Sequence, residues 1–181
     1  MKKIRTAFLL LLLSGLFLPG LVKAQDEETQ EKIISESKDA KAAFLKEDAS
    51  MANLFKNSYG YAIFPDVGKG AVGVGGAAGR GALYEKGKSI GTAKLLQVTA
   101  GAQVGGQAYR EVIFFENKAA LDRFKNNNFE FSGQTSAVAV KSGSSANANY
   151  RNGVVVFSQE KGGLMLEASL GGQKFTYKPM K

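Results

Sequence analysis

Glycine placement constrains this chain more than any other feature. Thirteen of its 22 glycines fall in the forty-seven residues from Gly60 to Gly106, among Ala, Val, Gln and Tyr rather than the Ser and Pro of a flexible linker. The densest stretch runs Gly68-Lys69-Gly70-Ala71-Val72-Gly73-Val74-Gly75-Gly76-Ala77-Ala78-Gly79-Arg80-Gly81. Glycine loses more backbone entropy on folding than any other residue. Such density therefore needs close backbone approach, unusual dihedrals or a ligand to offset it.

A period of two runs through the region. Between Val72 and Tyr84 the even positions carry Val72, Val74, Ala78, Ala82 and Tyr84, while the odd ones are Ala71, Gly73, Gly75, Ala77, Gly79 and Gly81. The odd face is nearly bare, which predicts a second backbone or a bulky aromatic lying directly on it. From Leu95 to Phe115 the even positions are mostly apolar, and the odd ones include Gln97, Gln103, Gln107, Tyr109 and Glu111. That alternation predicts half-buried antiparallel strands with a polar Gln/Tyr face outward, and Gly105-Gly106 predicts a bulge or bend.

Other segments read as follows. Residues 25–46 hold no Gly or Pro, and Ile33, Ser37, Ala40 and Phe44 recur at helical spacing. A second short helix is expected over 51–57 with Leu54 and Phe55 inward. Tyr61-Ala62-Ile63-Phe64 reads as a short strand stopped by Pro65-Asp66. Asn117 is placed to cap a helix from Lys118 to about Asn126, burying Leu121 and Phe124. Ser142 to Asn149 reads as a mobile loop. Strands at 154–158, 164–170 and 174–177 read as a terminal meander. The expected fold is α+β: a single domain, mainly an antiparallel sheet or barrel-like meander, with N-terminal helices and one short internal helix.

The chain opens with Lys2, Lys3 and Arg5, an apolar run from Phe8 to Leu18, and small residues at Val22 and Ala24. Residues 1–24 are expected to be a signal peptide cleaved after Ala24, leaving 25–181 as an exported periplasmic or outer-membrane-associated domain. That cleavage takes away four basic side chains, so the net charge falls from +8 to +4, and the case for nucleic-acid binding weakens with it. The chain has no Cys and no His, so disulfides, His-based acid–base chemistry and most catalytic zinc sites are excluded. No catalytic residue, metal site or cofactor is expected. Gly68-Lys69-Gly70-Ala71-Val72-Gly73 matches a dinucleotide fingerprint by spelling alone, since neither a proper preceding strand nor a following helix is indicated.

Lys69, Arg80, Lys86, Lys88 and Lys94 gather around the glycines with Glu85 as the opposing charge. Together with Arg110, which interrupts an apolar face, they are the candidate lipid- or anion-binding residues, assisted by glycine amides. Arg110 is expected to meet a carboxylate, Glu111 or Glu130, or a bound anion. Gly70, Gly73, Gly75, Gly76, Gly79, Gly81, Gly105 and Gly106 are assigned a structural role.

Gly60-Tyr61-Ala62-Ile63-Phe64-Pro65, Gly68-Lys69-Gly70, Gly73-Val74-Gly75-Gly76 and Gly79-Arg80-Gly81 together resemble the signature of the SYLF domain family. The resemblance continues through Gly101-Ala102-Gln103-Val104-Gly105-Gly106-Gln107, Val112-Ile113-Phe114-Phe115, Ser158-Gln159-Glu160-Lys161-Gly162-Gly163-Leu164 and Ala168-Ser169-Leu170-Gly171-Gly172, covering about residues 40–180. It implies a non-catalytic lipid-binding domain. Eukaryotic members bind phosphoinositide membranes and some bind actin, and bacteria carry exported single-domain versions. The expected partner is a membrane lipid or similar amphiphile, with an envelope protein met through the Gln/Tyr face as the alternative.

Overall fold

The computed structural model describes residues 19–69, 76–98, 108–127, 129–131, 136–161, 168–169 and 172–180. The chain opens with helix α1 (Pro19–Glu47), whose inward stripe is the one its spacing predicts. Ile33, Ser37, Ala40 and Phe44 are all buried. Ser37 is tolerated there because its hydroxyl donates to the Ile63 carbonyl at 3.4 Å. Helix α2 (Met51–Asn57) follows, burying Met51 and Phe55 and leaving Leu54 half-buried.

The strands are β1 (Gly60–Lys69), β2 (Gly76–Glu85), β3 (Lys88–Val98), β4 (Ala108–Phe115), β5 (Ser136–Ala139), β6 (Val154–Glu160), β7 (Ala168–Ser169) and β8 (Gln173–Pro179). Seven of them form one mixed sheet in the order β5-β6-β4-β1-β2-β3-β8, and the two-residue β7 pairs on the outer side of β5. All pairings are antiparallel except β5 with β6. Helix α3 (Lys118–Lys125) lies between β4 and β5 in sequence and starts on Asn117, whose side chain accepts from the Ala120 amide at 3.0 Å. The fold is α+β. No ladder among the described residues joins β8 to β7, so of the expected sheet or barrel-like meander it is the open sheet that forms.

Both faces of the sheet are covered. On one, α1 and α2 pack on Tyr61, Ile63, Ala82, Tyr84, Val112, Phe114 and Phe157. On the other, Leu121 and Phe124 of α3 join Phe131 and pack against Phe64, Leu83, Leu95, Ile113, Phe115 and Phe175. Two-sided burial overturns the half-buried reading in β4, while residues 99–107 lie outside the described residues. In β3 the faces are inverted, with Leu95 and Gln97 buried and Leu96 43% exposed. In β4 every residue from Glu111 to Phe115 is buried, and Tyr109 with them.

Three other expectations are corrected. Pro65-Asp66 does not stop β1; a register shift between Ile63 and Asp66 absorbs the proline, which has no N–H to give a ladder. The last strands do not form a meander, because β6 pairs with β4 and β8 pairs with β3 on the far side of the sheet. Residues 142–147 are not a free loop. Asp48, 1% exposed at the end of α1, accepts from the Gly143 amide at 3.2 Å, the Ser144 hydroxyl at 3.2 Å and the Ser145 amide at 2.8 Å. It also accepts from the Ser50 amide at 3.0 Å and the Ser50 hydroxyl at 2.5 Å.

The bare glycine face is occupied. Gly79 and Gly81 point to the same side as Leu83, and a Cβ on Gly81 would fall on the Ile63 carbonyl oxygen and lie 2.8 Å from Phe64 Cδ1. An aromatic ring of β1 thus rests on the glycine backbone of β2. A Cβ on Gly79 would come within 2.8 Å of the Asp66 carbonyl oxygen. Gly76 opens β2; Gly70, Gly73, Gly75, Gly105 and Gly106 lie outside the described residues.

Candidate functional site

The antiparallel register brings one set of strand ends together. Lys69 faces Ala77, Gly76 faces Val98, Gly68 faces Ala108, Tyr109 faces Glu160 and Gln97 faces Gln173. The glycine-rich segments at 70–75, 101–107, 162–163 and 171–172 all join strands at this end. Motifs spread over a hundred residues of sequence are therefore anchored side by side.

The candidate basic residues divide into two groups. Arg80 and Lys94 are direct partners on β2 and β3, Asp66 faces Arg80 from β1, and Thr176 faces Lys94 from β8. Arg110 on β4 lies opposite the β1 bulge and faces Gln159 of β6. The alternation puts all six on the face that carries α1 and α2, so Gln159, Arg110, Asp66, Arg80, Lys94 and Thr176 make a lateral row across the sheet. Its one carboxylate is engaged: Lys161 Nζ lies 2.6 Å from Asp66 Oδ2. Arg80 and Lys94 are exposed and enter no ion pair among the described residues.

Lys86 and Lys88 do not join this row. Lys86 sits in the β2–β3 turn in the left-handed region at φ 49°, with its ammonium 5.3 Å from the Tyr59 ring centroid. Six residues of strand separate it from Arg80, about 20 Å at the rise of an extended chain. The Lys69 side chain lies outside the described residues. Arg110 meets neither of the expected carboxylates. It is half-buried and donates to Gln159 Oε1 at 3.3 Å, while Glu111, next in sequence, points to the opposite face and Glu130 lies 3.6 Å from Lys174.

The sequence reading missed a buried polar cluster on that opposite face. Gln173 Nε2 donates to Glu111 Oε2 at 3.0 Å and to Tyr109 Oη at 3.3 Å. Strands β4 and β8 are four places apart in the sheet, about 19 Å if it were flat, so the sheet is bent enough for the two side chains to meet over its concave side. Burial pushes the Glu111 carboxyl up to about 8, and the Gln173 bond only partly opposes this. Ser158 faces Glu111 from β6, and Gln97 is buried beside Gln173. With Gln97 and Tyr109 turned inward, the described part of the expected Gln/Tyr interaction face is not at the surface. The signal that could have found the cluster is the pair of Gln and Glu residues at odd positions flanked by buried apolar ones.

Residues 96–179 match the model of the Ysc84 family, described as Las17-binding protein actin regulator. Over these residues the chain is similar to the Ysc84 (SYLF) family. The match runs from the last residues of β3 to β8 and includes Arg110 and the whole buried cluster, while Arg80 and Lys94 lie before it. Beta cell expansion factor A of Aeromonas veronii is 29% identical over 167 residues, covering 85% of this chain and 64% of that protein. The chain thus spans less than two thirds of its relative's length. The family description names a binding role and an actin-regulatory one, with no reaction attached. Among the described residues no helix is long and apolar enough to cross a membrane, and no group of three or more acidic side chains is placed to hold a metal.

Proposed function

We propose that this SYLF-like domain is a non-catalytic module that docks on anionic lipid surfaces of the bacterial envelope. The observation that carries this reading is the lateral row: Arg110, Arg80 and Lys94 on one face, with their one neighbouring carboxylate already paired to Lys161. Guanidinium and ammonium groups arrayed on a rigid sheet suit phosphate headgroups, which accept from several donors at once. Lys69 and the glycine amides at the adjoining end are further contacts in this reading. The domain is exported, with residues 1–24 removed after Ala24. Cleavage there takes away none of the described side chains that pack on the sheet, since the buried stripe of α1 begins at Ile33.

Flotation of the mature protein with vesicles tests the reading. Binding to vesicles rich in phosphatidylglycerol, with none to phosphatidylcholine alone, is the expected result. Equal failure on both would sink it. The family description favours a protein partner as the second reading, and that reading expects stoichiometric capture of an envelope protein without lipid dependence.

A further inference from the structure

The concave face holds more unpaired oxygen than a packed core tolerates. Glu111, Ser158 and Gln173 are each 0% exposed, and Glu111 Oε1, Ser158 Oγ and Gln173 Oε1 have no hydrogen-bond partner. Buried polar atoms are nearly always satisfied, so three orphans in one cluster call for an occupant. They are close neighbours. Ser158 lies directly across from Glu111 on the paired strand, and the Gln173 amide is bonded to the other oxygen of the same carboxyl. The two amide hydrogens of Gln173 are spent on Glu111 and Tyr109, which leaves its carbonyl oxygen as a pure acceptor.

No basic side chain bonds to this carboxyl among the described residues. Arg110 is on the other face with Gln159, and Lys174 is exposed beside Glu130. Once this carboxyl ionises, what is missing is one positive charge and three donors. A water molecule brings two donors and no charge, and a quaternary ammonium brings charge and no donors. A primary ammonium brings three N–H donors and one charge. We propose that Glu111, Ser158 and Gln173 form a binding site for a primary ammonium group, as an aminophospholipid headgroup or a free amine supplies. The cluster lies near the ends of its strands, Tyr109 being the second residue of β4 and Gln173 the first of β8. It is independent of the Arg80–Lys94 row, which lies on the opposite face.

Thermal unfolding in methylammonium, tetramethylammonium, sodium and potassium chlorides at one ionic strength tests the site, near pH 9 where carboxyl and amine are both largely charged. Methylammonium is expected to raise the midpoint by about 2–4 °C over the other three once it exceeds its dissociation constant several-fold. Glu111→Gln keeps the side-chain volume and removes the charge, and Ser158→Ala removes one acceptor; each is expected to abolish the gain. No gain, an equal gain in tetramethylammonium or a metal chloride, or a gain surviving in both variants would overturn the proposal. Vesicle flotation then separates the sources. A preference for phosphatidylethanolamine over phosphatidylcholine that Glu111→Gln removes assigns the headgroup, and a thermal gain without that preference assigns a free amine.

Discussion

Glu111 takes up a proton when the chain folds. Its carboxyl titrates near 4.5 in the open chain and is pushed up to about 8 by burial in the folded one. A raised carboxyl favours the folded state fully below its unfolded value and loses that advantage as pH climbs through the folded value. Stability should therefore decline between about pH 4.5 and 8 by on the order of 5 kcal/mol, less whatever the rest of the chain contributes. In Glu111→Gln that decline should vanish, and the variant should be the more stable protein at pH 9, as measured by urea unfolding at several pH values. An unchanged slope in the variant would show that Glu111 is ionised in the fold. The sequence placed this residue on an outward polar face, and the reason for the miss is physical. Alternation separates two faces but does not say that one is wet, and here both are dry.

At the scale of elements, local signals read well and long-range ones did not. The stripe Ile33, Ser37, Ala40, Phe44 and the Asn117 cap are written in a handful of adjacent residues, and the structure has them as written. The bare face at Gly79 and Gly81 is equally local, because parity alone shows where Cβ atoms are missing. The partner of the 142–147 segment is ninety-five residues away at Asp48 and leaves no trace in the segment's own small polar composition. Burial works against the charge of Asp48, but bonds from Ser50 and Ser145 outweigh it and hold its carboxyl well below the usual range. Such a group stabilises the fold above the ordinary carboxylate pKa, and the benefit is lost as pH falls through its folded value. Asp48→Ala should cost about 2–4 kcal/mol at neutral pH, by loss of several charge-assisted bonds and the stranding of their donors. It should also raise amide exchange at Gly143 and Ser145. Exchange there that matches the wild type would show that the segment is held by packing instead.

For the whole molecule, the strand order decides which charges act together. Four strands, β4, β1, β2 and β3, must align before Arg110, Arg80 and Lys94 share a row, and nothing local in the chain announces that β4 joins β1. Sequence proximity grouped Lys86 and Lys88 with Arg80, yet the hairpin sets them about 20 Å away, roughly twice the Debye length at 0.1 M salt. The two groups should therefore behave differently on a membrane. Each basic side chain held at an anionic surface is worth about 1 kcal/mol, so Arg80→Gln with Lys94→Gln should weaken binding to phosphatidylglycerol vesicles by roughly 30-fold. The pair Lys86→Gln and Lys88→Gln should leave it within about threefold of the wild type. Wild-type affinity should fall steadily with added salt, and the Arg80/Lys94 variant should show a shallower fall because fewer charges are being screened. Equal losses in the two double variants would mean that the surface is read by total charge, and that the row has no special part in docking.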